Sequence, residues 1–252
     1  MNKVYRSGWI TVLLIMLLAP LRVYAGLIAS GTRVIYTEGT REISLMLANT
    51  NSWPIIVQSW VDDGSGNPAY AGAPFIVLPS VFRLQPEGIQ GLRIVYNQTP
   101  LPRDRESVFW INLYEIPPVS KNMPEQSRLQ LAMNTQLKIF YRPQGLSPVP
   151  GSAVAGLKFR VLQEGGRWYV ECDNPSPWHI SFTDIIVRHG KTQRHVEREM
   201  DMMTAPFSQR RYTLSGKMPM TSASEIQFYY IDDRGAILNK NFILDTSIKL
   251  RN

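Results

Sequence analysis

The stretch RLQLAMNTQLKIFYRP, residues 128–143, alternates in the manner of a β-strand with one apolar face. The apolar members of the alternation are Leu129, Leu131, Met133, Leu137, Ile139 and Tyr141. Polar side chains between them are those of Gln130, Asn134, Gln136 and Lys138. Because successive side chains of a strand point to opposite sides, the apolar set shares one face. That face packs either into the core of its own domain or against a partner, and the pattern itself leaves both open.

The residues before this stretch also form strand-like segments rich in β-branched and aromatic side chains. These segments are RVIY at 33–36, EISLML at 42–47, PIIVQSWV at 54–61, FIVL at 75–78, GLRIVY at 91–96 and SVFWINLYEI at 107–116. Seven short strands separated by turn-forming residues, with no sustained 3.6-residue period, are typical of an antiparallel, immunoglobulin-like sandwich. Trp60 lies in the third of these segments, where such sandwiches often bury a tryptophan, so we expect it in the core.

A second all-β unit is predicted in the C-terminal half of the chain. Prolines and glycines at 143–151 interrupt the strand pattern and predict a linker. The pattern resumes with LKFRVL at 157–162, RWYVEC at 167–172, HISFTDIIV at 179–187, RRYTL at 210–214 and EIQFYYI at 225–231. About 100 residues are enough for a second sandwich. The sequence therefore predicts two domains, at 26–143 and 144–252.

Residues 1–25 have the layout of a secretory signal peptide. Lys3 and Arg6 precede an uncharged run over 8–21, and VYA at 23–25 supplies the small residues that a signal peptidase reads. The run is shorter than the roughly 20 apolar residues that cross a bilayer, and no second candidate follows. We expect cleavage after Ala25 and a soluble, exported protein that is not inserted in the membrane.

Charge and cysteine content restrict the function further. Cleavage removes three cations and no acid, so the net charge falls from +7 to +4. The basic residues at 188–198 are spread among polar residues and Glu197, which argues against a nucleic-acid partner. Cys172 is the only cysteine, so no internal disulfide can form, and we expect it to be a small buried side chain.

Motifs for catalysis and for metal or cofactor binding are absent from the sequence. The three histidines form no HExxH motif and have no CxxC partner, so no zinc site is predicted. GxSxG, GxGxxG and GxxxxGK[ST] are likewise missing. The carboxylate pairs at 62–63 and 232–233 lie beside glycine and are explained by turn formation. These absences give no support for an enzyme, and no cofactor is predicted.

The segment LPRDRESVFWINLYEIP, 101–117, resembles the signature of the periplasmic pilus chaperones, the PapD-like family. Further segments similar to that family span both predicted domains: GTRVIY at 31–36, QSW at 58–60, LQLA and KIFYRP within 129–143, NPSPW at 174–178 and DDRGA at 232–236. The resemblance implies two immunoglobulin-like domains in a boomerang arrangement. It also implies a non-catalytic periplasmic protein that binds, folds and caps pilus subunits and delivers them to an outer-membrane usher.

Roles for particular residues follow from the resemblance. It implies that Leu129, Leu131 and Met133 fill the open groove of a subunit sandwich that lacks its last strand. It implies that Arg33 and Lys138 bind the C-terminal carboxylate of that subunit. An anchored end sets the register of the donated strand, and a slip of one residue turns its apolar side chains away from the groove.

The resemblance assigns a second charged group to the junction of the domains, where Glu106, Arg142 and Asp233 are expected to form an ion network. The ten residues at 119–128, before the predicted donor strand, resemble the short-loop branch of the family. An exposed apolar edge also predicts weak self-association of the free protein. The alternative from another class is an exported two-domain adhesin or ligand-binding protein.

Overall fold

A computed structural model of the chain describes residues 26–118, 131–216 and 225–244. Four predictions therefore lie outside the described residues: the signal peptide at 1–25, the short loop at 119–128, the donor-strand residue Leu129 and the last part of the second predicted domain, 245–252.

The described chain forms nine strands between residues 26 and 142. They are β1 (Leu27–Ala29), β2 (Arg33–Thr37), β3 (Glu42–Asn49), β4 (Ile55–Asp62), β5 (Phe75–Leu78), β6 (Val81–Leu84), β7 (Ile89–Tyr96), β8 (Ser107–Ile116) and β9 (Met133–Arg142). One sheet has the order β1-β3-β7-β5 and the other the order β2-β9-β8-β4-β6. Neighbouring strands run antiparallel apart from β2 and β9, which are parallel.

The two sheets pack face to face mainly through one apolar cluster, with a smaller one formed by Ile55, Val57 and Leu84. Fully buried members from both sheets are Tyr36, Leu47, Leu92, Ile94, Ile111, Leu113 and Ile139. Alternate residues of each strand supply this layer because the pleat turns every second side chain inward. The first unit is therefore a β-sandwich, as the alternation predicts.

The expectation of a buried Trp60 is wrong. Trp60 is half-buried in β4, whereas its neighbours Ser59 and Val61 are buried. Since strand neighbours face opposite sides, the inward positions of Ser59 and Val61 turn Trp60 outward. Its ring lies 6.3 Å from that of Tyr114, and its Nε1 donates to Asp62 Oδ2 at 3.2 Å.

The second unit begins with one turn of helix, α1 (Pro150–Ala153), and a 3₁₀ turn (Val154–Gly156). Its strands are β10 (Lys158–Glu164), β11 (Arg167–Asn174), β12 (Ile180–His189), β13 (Thr192–His195), β14 (Met203–Thr204), β15 (Ser208–Leu214), β16 (Glu225–Ile231) and β17 (Ile237–Ile243). One sheet has the order β10-β11-β15, and the other has the order β13-β12-β16-β17 with β14 also paired to β12.

A separate apolar cluster fills this second sandwich. Its fully buried members include Val170, Cys172, Ile185, Tyr212 and Ile226. Burial raises the pKa of the Cys172 thiol to about 12, so the residue packs as an apolar side chain. The prediction of an all-β protein with two sandwiches is confirmed. No helix in the described part of the chain is long and apolar enough to cross a membrane.

Five of these strands, β1, β6, β13, β14 and β17, have no counterpart among the predicted segments. Four of them have two to four residues, too few for an alternation to stand out. Strand β17, with the sequence ILNKNFI, lies at a sheet edge and is exposed along most of its length. Because burial imposes no polarity pattern there, only its ladder to β16 defines it as a strand.

Truncation of a core residue of β9 tests this packing. Ile139 is fully buried, so Ile139→Ala should lower the free energy of unfolding by about 2–5 kcal/mol. Ile89, which is 67% exposed, is the control, and Ile89→Ala should change stability by less than about 0.5 kcal/mol. Urea unfolding measures both variants, and equal losses would contradict the assignment of Ile139 to the core.

Candidate functional site

The two edges of β9 are paired over different lengths. Strand β8 pairs with β9 from Met133 to Tyr141, whereas β2 pairs with it only from Lys138 to Arg142. Among the described residues, no strand covers the second edge of β9 before Lys138. The backbone groups there are available to a further strand, because an uncovered edge presents hydrogen-bonding groups to whatever approaches it.

Two exposed apolar side chains lie at the start of β9 and just before it. Leu131 is 69% exposed and Met133 is 60% exposed, whereas Ile139 and Tyr141 on the same alternation are buried. The apolar face is therefore divided: its last residues belong to the core of the first sandwich, and Leu131 and Met133 are mostly exposed. This division answers the question that the alternation leaves open for Leu131 and Met133.

The opposite face of β9 is held to β8 by a polar network. Asn112 is fully buried, and its Oδ1 accepts hydrogen bonds from Asn134 Nδ2 at 2.9 Å and Gln136 Nε2 at 2.8 Å. Asn112 Nδ2 donates to Asp62 Oδ2 at 3.0 Å, and Asp62 is also fully buried. Buried amides need such partners, so the network holds the Asn134 and Gln136 side chains on one face of the sheet.

Arg33 and Lys138 are direct neighbours in the parallel ladder of β2 and β9. Arg33 Nη1 donates to Ile231 O at 3.4 Å, a long hydrogen bond, and Arg33 Nε is buried without a partner in the described structure. The guanidinium lies 5.7 Å from the centre of the Phe140 ring. Burial lowers the pKa of Arg33. The site thus holds a partly desolvated cation with a hydrogen-bond donor to spare.

Lys138 has a different environment. Its Nζ donates to Asp201 Oδ1 of the second sandwich at 2.6 Å and lies 6.0 Å from the centre of the Trp110 ring. The Lys138 side chain is 21% exposed and that of Asp201 39%. Asp201 has no part in the sequence-based prediction, because it lies in a loop without a recognisable motif.

Glu106, Arg142 and Asp233 lie together where the two sandwiches meet. Arg142 Nε donates to Glu106 Oε1 at 2.7 Å, and its two Nη atoms donate to the two carboxylate oxygens of Asp233, each at 2.7 Å. Glu106 Oε2 accepts the backbone N–H of His179 at 2.9 Å and lies 2.9 Å from His179 Nδ1. The Glu106 carboxylate is therefore buried with a full set of partners, which such a charge requires.

The turn that carries Asp233 touches the first sandwich through its glycine. Gly235 has φ +83°, and a Cβ at this position would lie 2.6 Å from Thr32 Oγ1. Asp232 Oδ1 accepts the backbone N–H groups of Arg234 at 2.9 Å and Ala236 at 2.8 Å, which closes the turn. Glycine is thus required both for the backbone conformation and for the close approach of the two domains.

A cavity of about 290 Å³ opens between the sandwiches beside these charges. Its lining includes Arg33, Arg142, Trp178, His179 and Tyr230. Arg142 lies 5.1 Å from the centre of the Trp178 ring, so one wall combines cations with aromatic faces. His, Cys, Asp and Glu side chains form no cluster suited to a metal ion within 26–118, 131–216 and 225–244. The lining also includes the carboxylates of Glu106, Asp232 and Asp233, so the cavity carries charges of both signs.

Sequence reasoning missed His179 and Asp201. His179 directly follows the NPSPW segment, so its neighbourhood gave a signal, but the contact with Glu106 spans 73 residues. Asp201 gave none, since its contact with Lys138 spans 63 residues and depends on how the domains pack.

Two immunoglobulin-like sandwiches with a half-covered strand and a cationic cleft have the arrangement of a pilus-assembly chaperone. Family models agree over most of the chain. Residues 26–147 match "Pili and flagellar-assembly chaperone, PapD N-terminal domain", and residues 152–242 match "Pili assembly chaperone PapD, C-terminal domain". The chain belongs to the PapD family of pilus-assembly chaperones.

Individual relatives agree with this assignment. The chain is 34% identical to the probable fimbrial chaperone YadV of Escherichia coli K12 over 86% of this chain and 89% of that protein. It is 38% identical to the chaperone protein FimB/FhaD of Bordetella pertussis over 84% of this chain and 86% of that protein.

Solved structures give the same result. The crystal structure of YadV matches with a TM-score of 0.75 and 32% identity over 86% of this chain and 99% of that one. A chain in the structure of the Salmonella enterica SafA pilin in complex with the SafB chaperone matches with a TM-score of 0.69 and 26% identity, over 89% of this chain and 99% of that one.

Substitution of Arg142, which pairs with both Glu106 and Asp233, tests the interdomain network. Arg142→Met leaves the buried Glu106 carboxylate without its cation and should lower the free energy of unfolding by about 3–5 kcal/mol. Arg103→Met is the control, because Arg103 is 86% exposed and pairs with Glu38 at the surface; its cost should stay below about 1 kcal/mol. Guanidinium chloride unfolding compares the two, and similar losses would show that the network contributes no more than a surface pair.

The network should also make stability depend on pH. Hydrogen bonds from Arg142 hold the pKa of Asp233 below its ordinary value of 3.8, although burial opposes them. A carboxyl group whose pKa is lower in the folded state than in the unfolded state stabilises the fold at pH values above its unfolded-state pKa. This stabilisation is lost as the pH falls through its folded-state pKa. The stability difference between the wild type and Asp233→Asn should therefore shrink from pH 6 to pH 3. Because Asp233 is about half exposed, the difference should stay near 1 kcal/mol or less. Urea unfolding at several pH values measures it, and a constant difference would refute the linkage.

Proposed function

We propose that this protein is a periplasmic chaperone that completes pilus subunits with the start of β9 and the residues just before it, and hands them to an outer-membrane usher. The observation that carries the proposal is the coincidence of an uncovered backbone edge with exposed apolar side chains, Leu131 and Met133, on one segment. A subunit sandwich that lacks its last strand needs both features, namely a hydrogen-bonding edge and alternating apolar side chains. The chaperone names of the relatives favour this function over an exported adhesin.

The donated segment is proposed to include Leu129, Leu131 and Met133. A fully buried leucine or methionine side chain contributes roughly 1.5–3 kcal/mol, so three such residues supply a large part of the binding free energy. The solved complex of the SafB chaperone with the SafA pilin shows that a structurally similar chain engages a pilin. Weak self-association through the same edge remains a prediction for the free protein.

The subunit's terminal carboxylate is proposed to bind at Arg33 and Lys138. Support comes from their adjacent positions in the ladder and from the long hydrogen bond of the Arg33 guanidinium to Ile231 O. Lys138 also marks the point where β2 ends its cover of β9. A carboxylate held there fixes the register of the strand that is added beside Met133.

Location and domain division are part of the proposal. A signal peptide at 1–25, cleaved after Ala25, would deliver the chain to the periplasm, where pilus subunits emerge. We also propose domains at 26–143 and 144–252, with Glu106, Arg142 and Asp233 holding the domains in a fixed orientation. The carboxylate site lies beside that network, so its geometry depends on the same orientation.

Co-expression with a pilus subunit from the same genome tests the proposal. The wild type should elute from a size-exclusion column as a soluble one-to-one complex, because the donated strand covers the open groove of the subunit. The double variant Leu131→Ser/Met133→Ser should lose the complex, and Arg33→Ala should weaken it about tenfold or more through the loss of a charge-assisted contact.

Two controls accompany this experiment. Arg93→Ala removes an exposed arginine that pairs with Glu42 on the other sheet, and it should leave the complex intact. Thermal unfolding verifies that each variant is folded. A complex that survives the double substitution Leu131→Ser/Met133→Ser would refute strand donation by this segment.

A further inference from the structure

The ammonium of Lys138 already has a carboxylate partner within the chain. Its Nζ donates to Asp201 Oδ1 at 2.6 Å, a distance typical of a charge-assisted hydrogen bond. The contact joins a strand of the first sandwich to a loop of the second. Any external carboxylate that approaches Lys138 therefore meets a negative charge that is already in place.

The second sandwich holds the Asp201 carboxylate from behind. Arg210 Nη1 lies 3.6 Å from Asp201 Oδ2 and donates to Met203 O at 2.7 Å. Arg210 Nη2 donates to Glu199 Oε2 at 2.6 Å. Since this guanidinium is fixed by its other two contacts, Asp201 is presented to Lys138 by its own domain.

Arg33, the neighbour of Lys138 in the ladder, has no comparable partner. Its hydrogen bond to Ile231 O is long, and its Nε has no partner in the described structure. The nearby Asp233 carboxylate has both oxygens bound to Arg142. The two cations of the cleft are thus unequal, because one is occupied and the other has donor capacity left.

We propose that Asp201 is a positioning residue: an internal carboxylate that occupies Lys138 until the terminal carboxylate of a subunit displaces it. The proposal rests on the function proposed above and adds a step to it. The incoming carboxylate binds Arg33 first, and Lys138 then exchanges Asp201 for the new anion. An ammonium has three donors, but two carboxylates on one half-buried cation repel each other, so the exchange is competitive.

The competition has a consequence for specificity. A partner whose C-terminus is a free carboxylate can take the place of the Asp201 carboxylate beside Lys138. A partner with a neutral C-terminus cannot, so Lys138 stays paired with Asp201. Removal of Asp201 should therefore strengthen the binding of an anionic end and leave that of a neutral end unchanged. A purely structural tie between the domains would not make this distinction.

The test uses the full chain and a synthetic peptide with the last fifteen or so residues of a pilus subunit, prepared as the free acid and as the C-terminal amide. Isothermal titration calorimetry measures each Kd. Asp201→Asn should bind the free acid about two- to fivefold more tightly than the wild type does, the range set by a partly exposed ion pair. The wild type and Asp201→Asn should bind the amide peptide with equal Kd values. The double variant Lys138→Ala/Asp201→Asn should show no gain in affinity for the free acid.

Asp184→Asn is the matched control, because Asp184 pairs with His195 in the second sandwich and its removal changes the net charge equally. It should leave both Kd values unchanged. Should Asp201→Asn fail to fold, Asp201→Ser provides the same comparison, with thermal unfolding as the check.

The outcomes separate the two proposals. An Arg33-dependent preference for the free acid in the wild type, with no gain in Asp201→Asn, overturns the role of Asp201 and leaves the carboxylate site intact. Equal binding of acid and amide by the wild type overturns the carboxylate site and the role of Asp201 together. An equal gain in affinity for the free acid in Asp184→Asn would show that the effect comes from net charge alone, and it would overturn the proposal as well.

Discussion

The unequal pairing of β9 is the constraint on which the rest of the structure depends. Strand β8 covers one edge from Met133 to Tyr141, but β2 covers the other edge only from Lys138 onward. One strand can thus belong to the core at one end and remain open at the other. The buried Asn112 network holds Asn134 and Gln136 on one face of the sheet, so the apolar residues of the alternation lie on the other face. Strand order, side-chain direction and the proposed binding edge all follow from this arrangement.

Charge at the domain junction follows a similar division. Arg142 forms ion pairs with the buried Glu106 and with Asp233, so this cation is fully paired within the chain. Arg33 lies in the same cleft, and its Nε has no hydrogen-bond partner in the described structure. Lys138 is paired with Asp201. Buried charges are costly unless they are paired, and a cation left partly unpaired gains from an external anion. Arg142 is thus fully paired within the chain, whereas Arg33 beside it is the residue to which we assign anion binding.

Local patterns predicted the strands that carry an inward face. The bounds of β5, β8 and β16 coincide with the predicted segments, because alternation is strong where one side is buried. Edge strands such as β17 escaped prediction, since exposure on both faces removes the pattern. The prediction that Trp60 is buried was wrong for a different reason. Its residue type suggested burial, but the alternation of β4 places the side chains of Ser59 and Val61 inside.

The sequence by itself determined the class of fold, the apolar alternation of 128–143 and the presence of cations at Arg33 and Lys138. It also contained the motif residues Glu106, Arg142 and Asp233, which the structure brings into contact. Only the tertiary structure decided that Leu131 and Met133 are exposed while Ile139 is buried, and that Asp201 is the partner of Lys138. The physical reason is that alternation reports the side on which a residue lies, whereas burial and ion pairing depend on what covers that side, and here the covering groups come from distant parts of the chain.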